Sequence, residues 1–590
     1  MSTYQKIYDQ ISKHSFDNDR IKTERLLQWI ICSSMPLTTK ELQFAVSQDC
    51  SQQYLSMPDT SDITENTLLQ VSHHLVVMDS NLGGWRLCHY SVREFLENRY
   101  QDLYGGVRAN NVAANTCLKT VLGKKDSREP SEKWERNESY SAFKEYAIWS
   151  WPYHSRFCGD ENRDLMEEFL EPAQSGPQSE LCYRQWVIHI QRVQPPTRFV
   201  HWTLSKTSMG LFAPIDESSF GLCILGVPSP LAWRREAKTL DYKIRNTAGW
   251  SLLSLAIFHG HRPAWQTLLE GYSTSDLIEN EFSDWESPWC TAVATSLEAT
   301  QDLLKKGASA DEFFGPRIGT PLSIAVIQSE VETMELLIKS GANVNKPLDD
   351  PLWKYSEAQA RDPALYDDRP MLHTGSALAT AAYRGNAVAV KKLIDYGAEI
   401  NQDIPGRYGS ALAAAATRGS LEVVNLLIDH GAEVDMLLPR AKFGNALTAA
   451  AGTWDSNLKV VQRLIDAGAE VNMPLPSWPG SPLAAAASCE KAQGEKAIYA
   501  VQRGLADIFA VARLSDTRFG SVLQETVSGI APTVKKNTQF GDVKVVRLLL
   551  ENGAEPTMPL NGLYEDALDA ARQTGSWEVL QLMEDWIPKD

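Results

Sequence analysis

Gly409 to Asp435 reads GSALAAAATRGSLEVVNLLIDHGAEVD, and this stretch decides the fold. It returns as GSALATAAYRGNAVAVKKLIDYGAEIN from Gly375 and as GNALTAAAGTWDSNLKVVQRLIDAGAEVN from Gly444. The opening glycines Gly375, Gly409, Gly444 and Gly480 follow one another at 34, 35 and 36 residues. Self-similarity at that period predicts a stacked solenoid, which offers a surface for holding a partner rather than a pocket for chemistry.

The parts of the unit follow from its residues. Ser410 is placed to cap a short helix, its hydroxyl accepting an orphan backbone N–H. Leu412 and the alanines 413–416 keep that helix slim, so neighbouring helices approach closely. Arg418-Gly419 ends it. Leu421, Val424, Leu427 and Ile428 then form one apolar stripe on a second helix. Gly431 follows where a left-handed residue costs least, and Ala432 to Asp435 lead into a protruding finger.

Helix, turn, helix and finger resemble the ankyrin repeat. Further copies share the pattern. Gly319-Thr320-Pro321-Leu322 opens one, with Pro321 at the first helical position, and Gly341 to Asn345 closes it. Gly480-Ser481-Pro482-Leu483 opens another, whose closing Gly553-Ala554-Glu555 lies far downstream. Weaker copies run from Gly249 to Leu269 and from Cys290 to Ala308. Asp566 to Ile587 reads as a terminal cap with a polar face, and 208–240 as a degenerate first repeat. The count is six repeats plus two degenerate ones. Two copies are interrupted, by a lengthened finger in 346–374 and by a segment in 488–540 with helical patterning at 497–514 and 518–537. Insertions in solenoids gather on loops, often on the binding face.

Composition bounds the rest. The 590 residues are 43% hydrophobic and 22% charged, an ordinary globular balance with room for several domains. Lys+Arg of 57 against Asp+Glu of 74 gives −17, which argues against a general nucleic-acid footprint. Nine cysteines stand without a C-x-x-C pair, and no apolar, positively flanked leader is present, so a reduced intracellular compartment is expected. No run approaches the length of a membrane span.

Ahead of the repeats, Leu26, Leu27, Ile30 and Ile31 form a helical stripe that Pro36 breaks. Thr38 or Thr39 starts a second helix carrying Leu42, Phe44 and Val46. A third helical pattern covers Leu68 to Leu75. Val76 to Met78, a turn at 81–84 and an alternating Trp85 to Tyr90 make a hairpin, and Ser91 to Leu96 is helical again. Order and residues resemble the winged-helix module that follows the nucleotide-binding domain in fungal NACHT (NLR-like) proteins. The residues that carry the resemblance are Trp29, Pro36-Leu37, Glu41-Leu42 and His89 to Leu96. Ala113 to Leu118 and Phe143 to His154 resemble the helical linker of the same proteins, with Trp149 and Trp151 packing it. Ile7-Tyr8-Asp9-Gln10 matches the helix that precedes the wing in that family. A NACHT protein needs a G-x-x-x-x-G-K-[ST] loop to hold phosphates. None occurs here. Val121-Leu122-Gly123-Lys124-Lys125 lacks the first glycine and the hydroxyl and reads as a solvated loop, so ATP-driven switching is not carried over.

The remaining motifs have structural readings. Residues 1–100 hold nine Lys/Arg and twelve Asp/Glu, too acidic for a recognition helix that must release counterions, so the winged helix reads as a packing module. His73, His74, His89 and Cys88 fit no zinc spacing, and His259-Gly260-His261 belongs to an ankyrin-type turn where histidine bonds backbone. No metal, no cofactor and no catalytic motif is expected.

These readings give a mainly α fold: a winged-helix domain at 1–105, a helical linker at 106–205 and an ankyrin-repeat solenoid at 206–590. The expected function is a non-catalytic interaction scaffold, cytoplasmic with the nucleus as alternative, binding an unidentified protein and neither nucleic acid nor membrane. The candidate partner-binding residues on the concave face are Tyr383, Arg384, Arg407, Tyr408, Arg418, Arg440, Lys442, Phe443, Trp454 and Trp478. Aromatic and arginine anchors dominate interface energy, and their basic-aromatic mix suits an acidic partner. Two other readings stand beside this one: an accessory protein of a fungal secondary-metabolite gene cluster, and part of a NACHT regulatory ATPase.

Overall fold

The chain divides into two units, Met1–Tyr272 and Ser273–Asp590. The computed structural model describes residues 3–12, 17–58, 63–171, 182–193, 211–278, 287–314, 318–348, 375–404, 408–439, 441–453, 457–475, 480–489, 541–560 and 564–587.

The first unit opens with α1 (Thr3–Ser12), α2 (Asp17–Cys32), α3 (Thr39–Ser47), α4 (Glu65–Val71), β1 (Val76–Asp79), β2 (Gly84–Leu87) and α5 (Tyr90–Arg99). Thr38 starts α3 with a capping box: the Glu41 amide donates to its hydroxyl and its own amide donates to the Glu41 carboxylate at 2.7 Å. β1 and β2 pair antiparallel, and Leu37 bridges to Trp85 across the hairpin. That approach requires a glycine beside it, because a Cβ on Gly84 would lie 2.7 Å from the Pro36 Cβ. The winged helix is as expected, with two boundaries corrected. α4 stops at Val71, and His73 and His74 turn the chain with left-handed φ of 47° and 61° instead of continuing the helix to Leu75. β2 stops at Leu87, because His89 caps α5 by accepting the Ser91 amide.

α6 (Gln101–Tyr104), α7 (Gly106–Val121), α8 (Ser131–Arg136), α9 (Glu138–Ser155), α10 (Arg163–Leu170) and α11 (Tyr183–Arg192) follow. α7 packs on α2 and α9, and α9 packs on α3, so these helices share one core with the winged helix. Its centre is aromatic. Trp29 meets Phe143 edge-on at 5.4 Å, and Phe143 lies 4.9 Å from Phe44. Trp149 and Trp151 are buried as expected. The loop 121–125 is packed, not solvated: the Leu55 amide donates to the Lys124 carbonyl and Lys124 pairs with Glu168. Two helix pairs complete the unit, Ser218–Leu225 with Pro228–Glu236 and Leu252–Phe258 with Arg262–Leu269. The first lies in the 208–240 stretch whose sequence reads as a degenerate repeat. At the turn of the second, His261 Nε2 donates to the Ile224 carbonyl at 2.9 Å, the backbone role its position implied.

The second unit holds seven further helix pairs: Pro288–Thr295 with Leu297–Lys306, Pro321–Gln328 with Val331–Lys339, Ala377–Arg384 with Ala387–Asp395, Ala411–Arg418 with Leu421–Asp429, Ala446–Ala451 with Leu458–Asp466, Pro482–Ser488 with Val543–Glu551, and Ala567–Thr574 with Trp577–Trp586. Nine pairs therefore stand among the described residues against the eight counted above. The terminal segment supplies the ninth, and it is not simply polar outside, since Trp577 is 70% exposed. The first helices from Ala377, Ala411, Ala446 and Pro482 are alanine-rich and largely buried, and the first helices of successive pairs in this unit pack on one another. Their N-caps recur: Ser376, Ser410 and Ser481 each accept the amide three residues on, and Asn445 does the same. Second helices bury one stripe; in Leu421–Asp429 it is Val423, Val424 and Leu427.

Both interruptions leave the stack intact. The Gly541 amide donates to the Cys489 carbonyl and the Asp542 amide to the Ala486 carbonyl, closing one repeat across the 490–540 stretch. The helical patterns at 497–514 and 518–537 and the lengthened finger beyond Leu348 fall outside the described residues. No helix of the described residues is long and apolar enough to cross a membrane.

Candidate protein-interaction site

The candidate residues that are described lie at the ends of first helices (Tyr383, Arg384, Arg418) and just before the glycines that open the next repeats (Tyr408, Lys442, Phe443). Tyr383 and Arg384 end one first helix, and Arg418 ends the next at the equivalent position. All three are half-buried. The Tyr383 ring lies 4.8 Å from the Tyr408 ring, and Arg384 Nη2 donates to the Ile327 carbonyl of the preceding repeat at 3.2 Å. Arg384 thus ties two repeats together. Lys442 is half-buried, its ammonium 5.1 Å from the centre of the Phe443 ring.

Two of the expected surface anchors are corrected. Tyr408 and Phe443 are buried, at 7% and 4% exposure. They occupy the same place in successive repeats, immediately before the glycine at which the chain re-enters the stack. There the ring has a wall to pack against: a Cβ on Gly452 would meet the Phe443 ring at 2.7 Å. Arg407, Arg440, Trp454 and Trp478 lie outside the described residues.

The fingers carry a feature that the repeat pattern alone does not reveal. Asn345, Asn401 and Asn472 each reach from one finger to the next. Asn401 Nδ2 donates to the Gly431 carbonyl at 3.0 Å, while its Oδ1 accepts the Glu433 amide at 2.8 Å. Asn345 does the same with Gly397 and Glu399, and Asn472 with Gly553 and Glu555. Asp435 keeps the acceptor half, taking the Glu470 amide at 2.9 Å, and Asp311 likewise takes the Asn343 amide. The ladder steps over both interruptions, from Asn345 to Gly397 and from Asn472 to Gly553. The available signal was the Asn or Asp that ends each G-A-x-x-[ND] string, but its partner belongs to the next copy.

The edge beside this ladder is acidic. Asp395, Asp429, Asp466 and Glu551 end the second helices, and Glu399, Glu433, Glu470 and Glu555 follow in the fingers, all exposed. Asp429 is paired with Arg463 at 3.4 Å. This acidic edge is built from the second-helix ends and the fingers, whereas the candidates Tyr383, Arg384 and Arg418 stand at first-helix ends.

Elsewhere, α4 offers no cation to a phosphate backbone: its sequence is ENTLLQV. Among the described residues no group of three or more His, Cys, Asp or Glu is placed to hold a metal ion. All nine cysteines are free. The most perturbed imidazole, His154, is structural. Its Nδ1 donates to Asn110 Oδ1 at 2.9 Å and its Nε2 accepts from the Tyr146 hydroxyl at 2.8 Å, and burial pushes its pKa down to about 3.

Comparisons with known proteins agree with this layout. Residues 378–474 match the family model described as ankyrin repeats (3 copies), and residues 319–347 match the single ankyrin repeat. Residues 14–105 match the model described as GPI inositol-deacylase, winged helix domain. The chain thus carries an N-terminal winged-helix domain of that type and C-terminal ankyrin repeats. No curated protein matches it. Among solved structures, the human ASB11 ankyrin repeat domain is similar at 22% identity and a TM-score of 0.33, over 43% of this chain and 99% of that one.

Proposed function

We propose that the protein is a non-catalytic intracellular scaffold that holds a protein partner along the concave face built from the first-helix ends and the fingers. One observation carries this reading: the asparagine ladder and the packed first helices make a continuous, pre-ordered surface that neither interruption breaks. Pre-ordering lowers the entropic cost of association, and repeat stacks of this kind act by presenting such surfaces. Ankyrin repeats are interaction modules, and they match residues 319–347 and 378–474. In the same reading the winged helix is a packing module, fused through a shared aromatic core to α7 and α9. A winged helix of the matched type ahead of ankyrin repeats supports kinship with the C-terminal part of fungal NLR-like proteins.

Site-specific photo-crosslinking tests the surface. A photoreactive residue at Thr417 or Arg418, at the end of a first helix, is expected to trap a defined protein partner in cell extract. The same residue at Glu422, exposed on the second helix, is expected to trap none. Crosslinks from Glu422 alone would place the interaction on the other face.

A further inference from the structure

Three turns re-enter the stack through the same bond. The Ile404 amide donates to the Gly409 carbonyl at 2.9 Å and the Leu475 amide to the Gly480 carbonyl at 3.0 Å, each across four residues. The Leu348 amide donates to the Gly375 carbonyl at 2.9 Å across 26 residues, 349–374. The long stretch therefore starts and ends where a four-residue turn does. In the regular copy that turn meets a first-helix end, with the Tyr408 ring 4.8 Å from the Tyr383 ring of the preceding repeat. One repeat earlier, the place of Tyr383 is taken by Ile327, whose carbonyl accepts from Arg384 at 3.2 Å. By this equivalence residues 349–374 depart beside Arg384.

Charge matches there. The first helices Pro321–Gln328, Ala377–Arg384, Ala411–Arg418, Ala446–Ala451 and Pro482–Ser488 contain no carboxylate, and their only charges are Arg384 and Arg418. Residues 349–374 read DDPLWKYSEAQARDPALYDDRPMLHT, six Asp or Glu against three Lys or Arg, with Trp353, Tyr355 and Tyr366. We infer that this stretch occupies the first-helix-end face of its own chain, setting carboxylates against Arg384 and Arg418, so that a partner must displace it. Guanidinium and carboxylate pair with matched geometry. Out and back, 26 extended residues reach ~45 Å, and packed helices stand about 8–10 Å apart, so Arg418, one repeat beyond Arg384, is in range. Tyr383, Arg384, Tyr408 and Arg418 each hold at least one more contact than these, as an occupied face requires. The other interruption, 490–540, has seven Lys or Arg against five Asp or Glu and lacks the complementary charge. Competition with a partner rests on the reading of this face as the partner site; the occupancy itself does not.

Photo-crosslinking in the purified full chain tests it. A photoreactive residue at Thr417 is expected to crosslink to residues within 349–374, mapped by mass spectrometry, and one at Glu422 on the second helix is not. Salt of about 1 M, where the screening length is ~3 Å, and the pair Asp367→Asn and Asp368→Asn should each lower that yield about threefold or more. Replacing 349–374 by a four-residue Gly-Ser turn, the length used at 405–408, should raise the partner trapped at Thr417 from extract about fivefold or more, because a tethered competitor is removed. No crosslink to 349–374, an equal yield from Glu422, a crosslink to 490–540 in its place, or a yield indifferent to both salt and the neutralised carboxylates would each overturn the occupancy, even if a partner is trapped from extract. Equal trapping with and without 349–374 would overturn the competition. The crosslink within the purified chain, with no partner trapped from extract, would support the occupancy and count against the partner reading alone.

Discussion

Asn401→Ala is the sharpest test of the finger ladder. The substitution removes two hydrogen bonds between neighbouring repeats, Nδ2 to the Gly431 carbonyl and the Glu433 amide to Oδ1. A net contribution of about 0.5–1.5 kcal/mol per bond, taken toward the low end because water reaches the half-exposed site, predicts a loss of ~1–2 kcal/mol. Asn401→Asp separates the two halves. It keeps the acceptor for Glu433 and loses the donor to Gly431, and the chain already uses that half-ladder at Asp435, which takes the Glu470 amide. Its expected cost is ~0.5–1 kcal/mol. Two readouts apply. Urea unfolding of the full chain should show the order wild type, Asp, Ala. Hydrogen exchange at the Glu433 amide should accelerate in the Ala variant, about tenfold for each 1.4 kcal/mol lost, and much less in the Asp variant. Unchanged Glu433 exchange in Asn401→Ala, or an Asp variant as damaged as the Ala variant, would refute the ladder as a source of coupling between repeats.

Three further outcomes are expected. Leu427→Ala, at a position with 0% exposure on a second helix, should cost ~2–5 kcal/mol, and a near-neutral melt would contradict the stacking argument. The fold keeps His154 neutral, with a pKa of about 3 against the ordinary 6.5, so the unfolded chain binds the extra proton. This stability contribution is complete above pH 6.5 and is lost as pH falls toward 3, with a slope approaching ~1.4 kcal/mol per pH unit. His154→Gln should remove that part of the slope in acid titrations followed by tryptophan fluorescence. Titration of the chain with ATP in a calorimeter should give no binding isotherm, because no G-x-x-x-x-G-K-[ST] loop is present; a stoichiometric isotherm would overturn this.

Much of the fold was legible because it repeats. Ser376, Ser410, Asn445 and Ser481 cap four helices in the same way, and a pattern seen once in a sequence gains weight when four copies agree. The winged helix was legible for a different reason: Pro36 and Thr38 set a boundary, and the turn at 81–84 set a hairpin, all by local chemistry. What resisted reading was whatever depends on a neighbour. Tyr408 and Phe443 are aromatic residues beside a glycine, which locally reads as an exposed loop. Only the adjacent helix supplies the wall that buries them. The bonds of Asn401 end on atoms 30 and 32 residues away, so no single copy displays them. His73 and His74 ended a helix early although the apolar pattern ran on to Leu75, because backbone geometry at two residues outweighed periodicity.

The ladder that passes from Asn472 to Gly553 has a consequence for how this gene can change. Among the described residues, the stretches on either side of 490–540 are joined by the Gly541 and Asp542 amides, which donate to the Cys489 and Ala486 carbonyls, and by Asn472, which bonds Gly553 and Glu555. Lengthening such a connection costs little, about 0.6 kcal/mol for each doubling of a flexible loop. Bonds of this kind on both sides of a connection fix the register of the repeats it joins, so a stack can admit an insertion at such a point while those bonds persist.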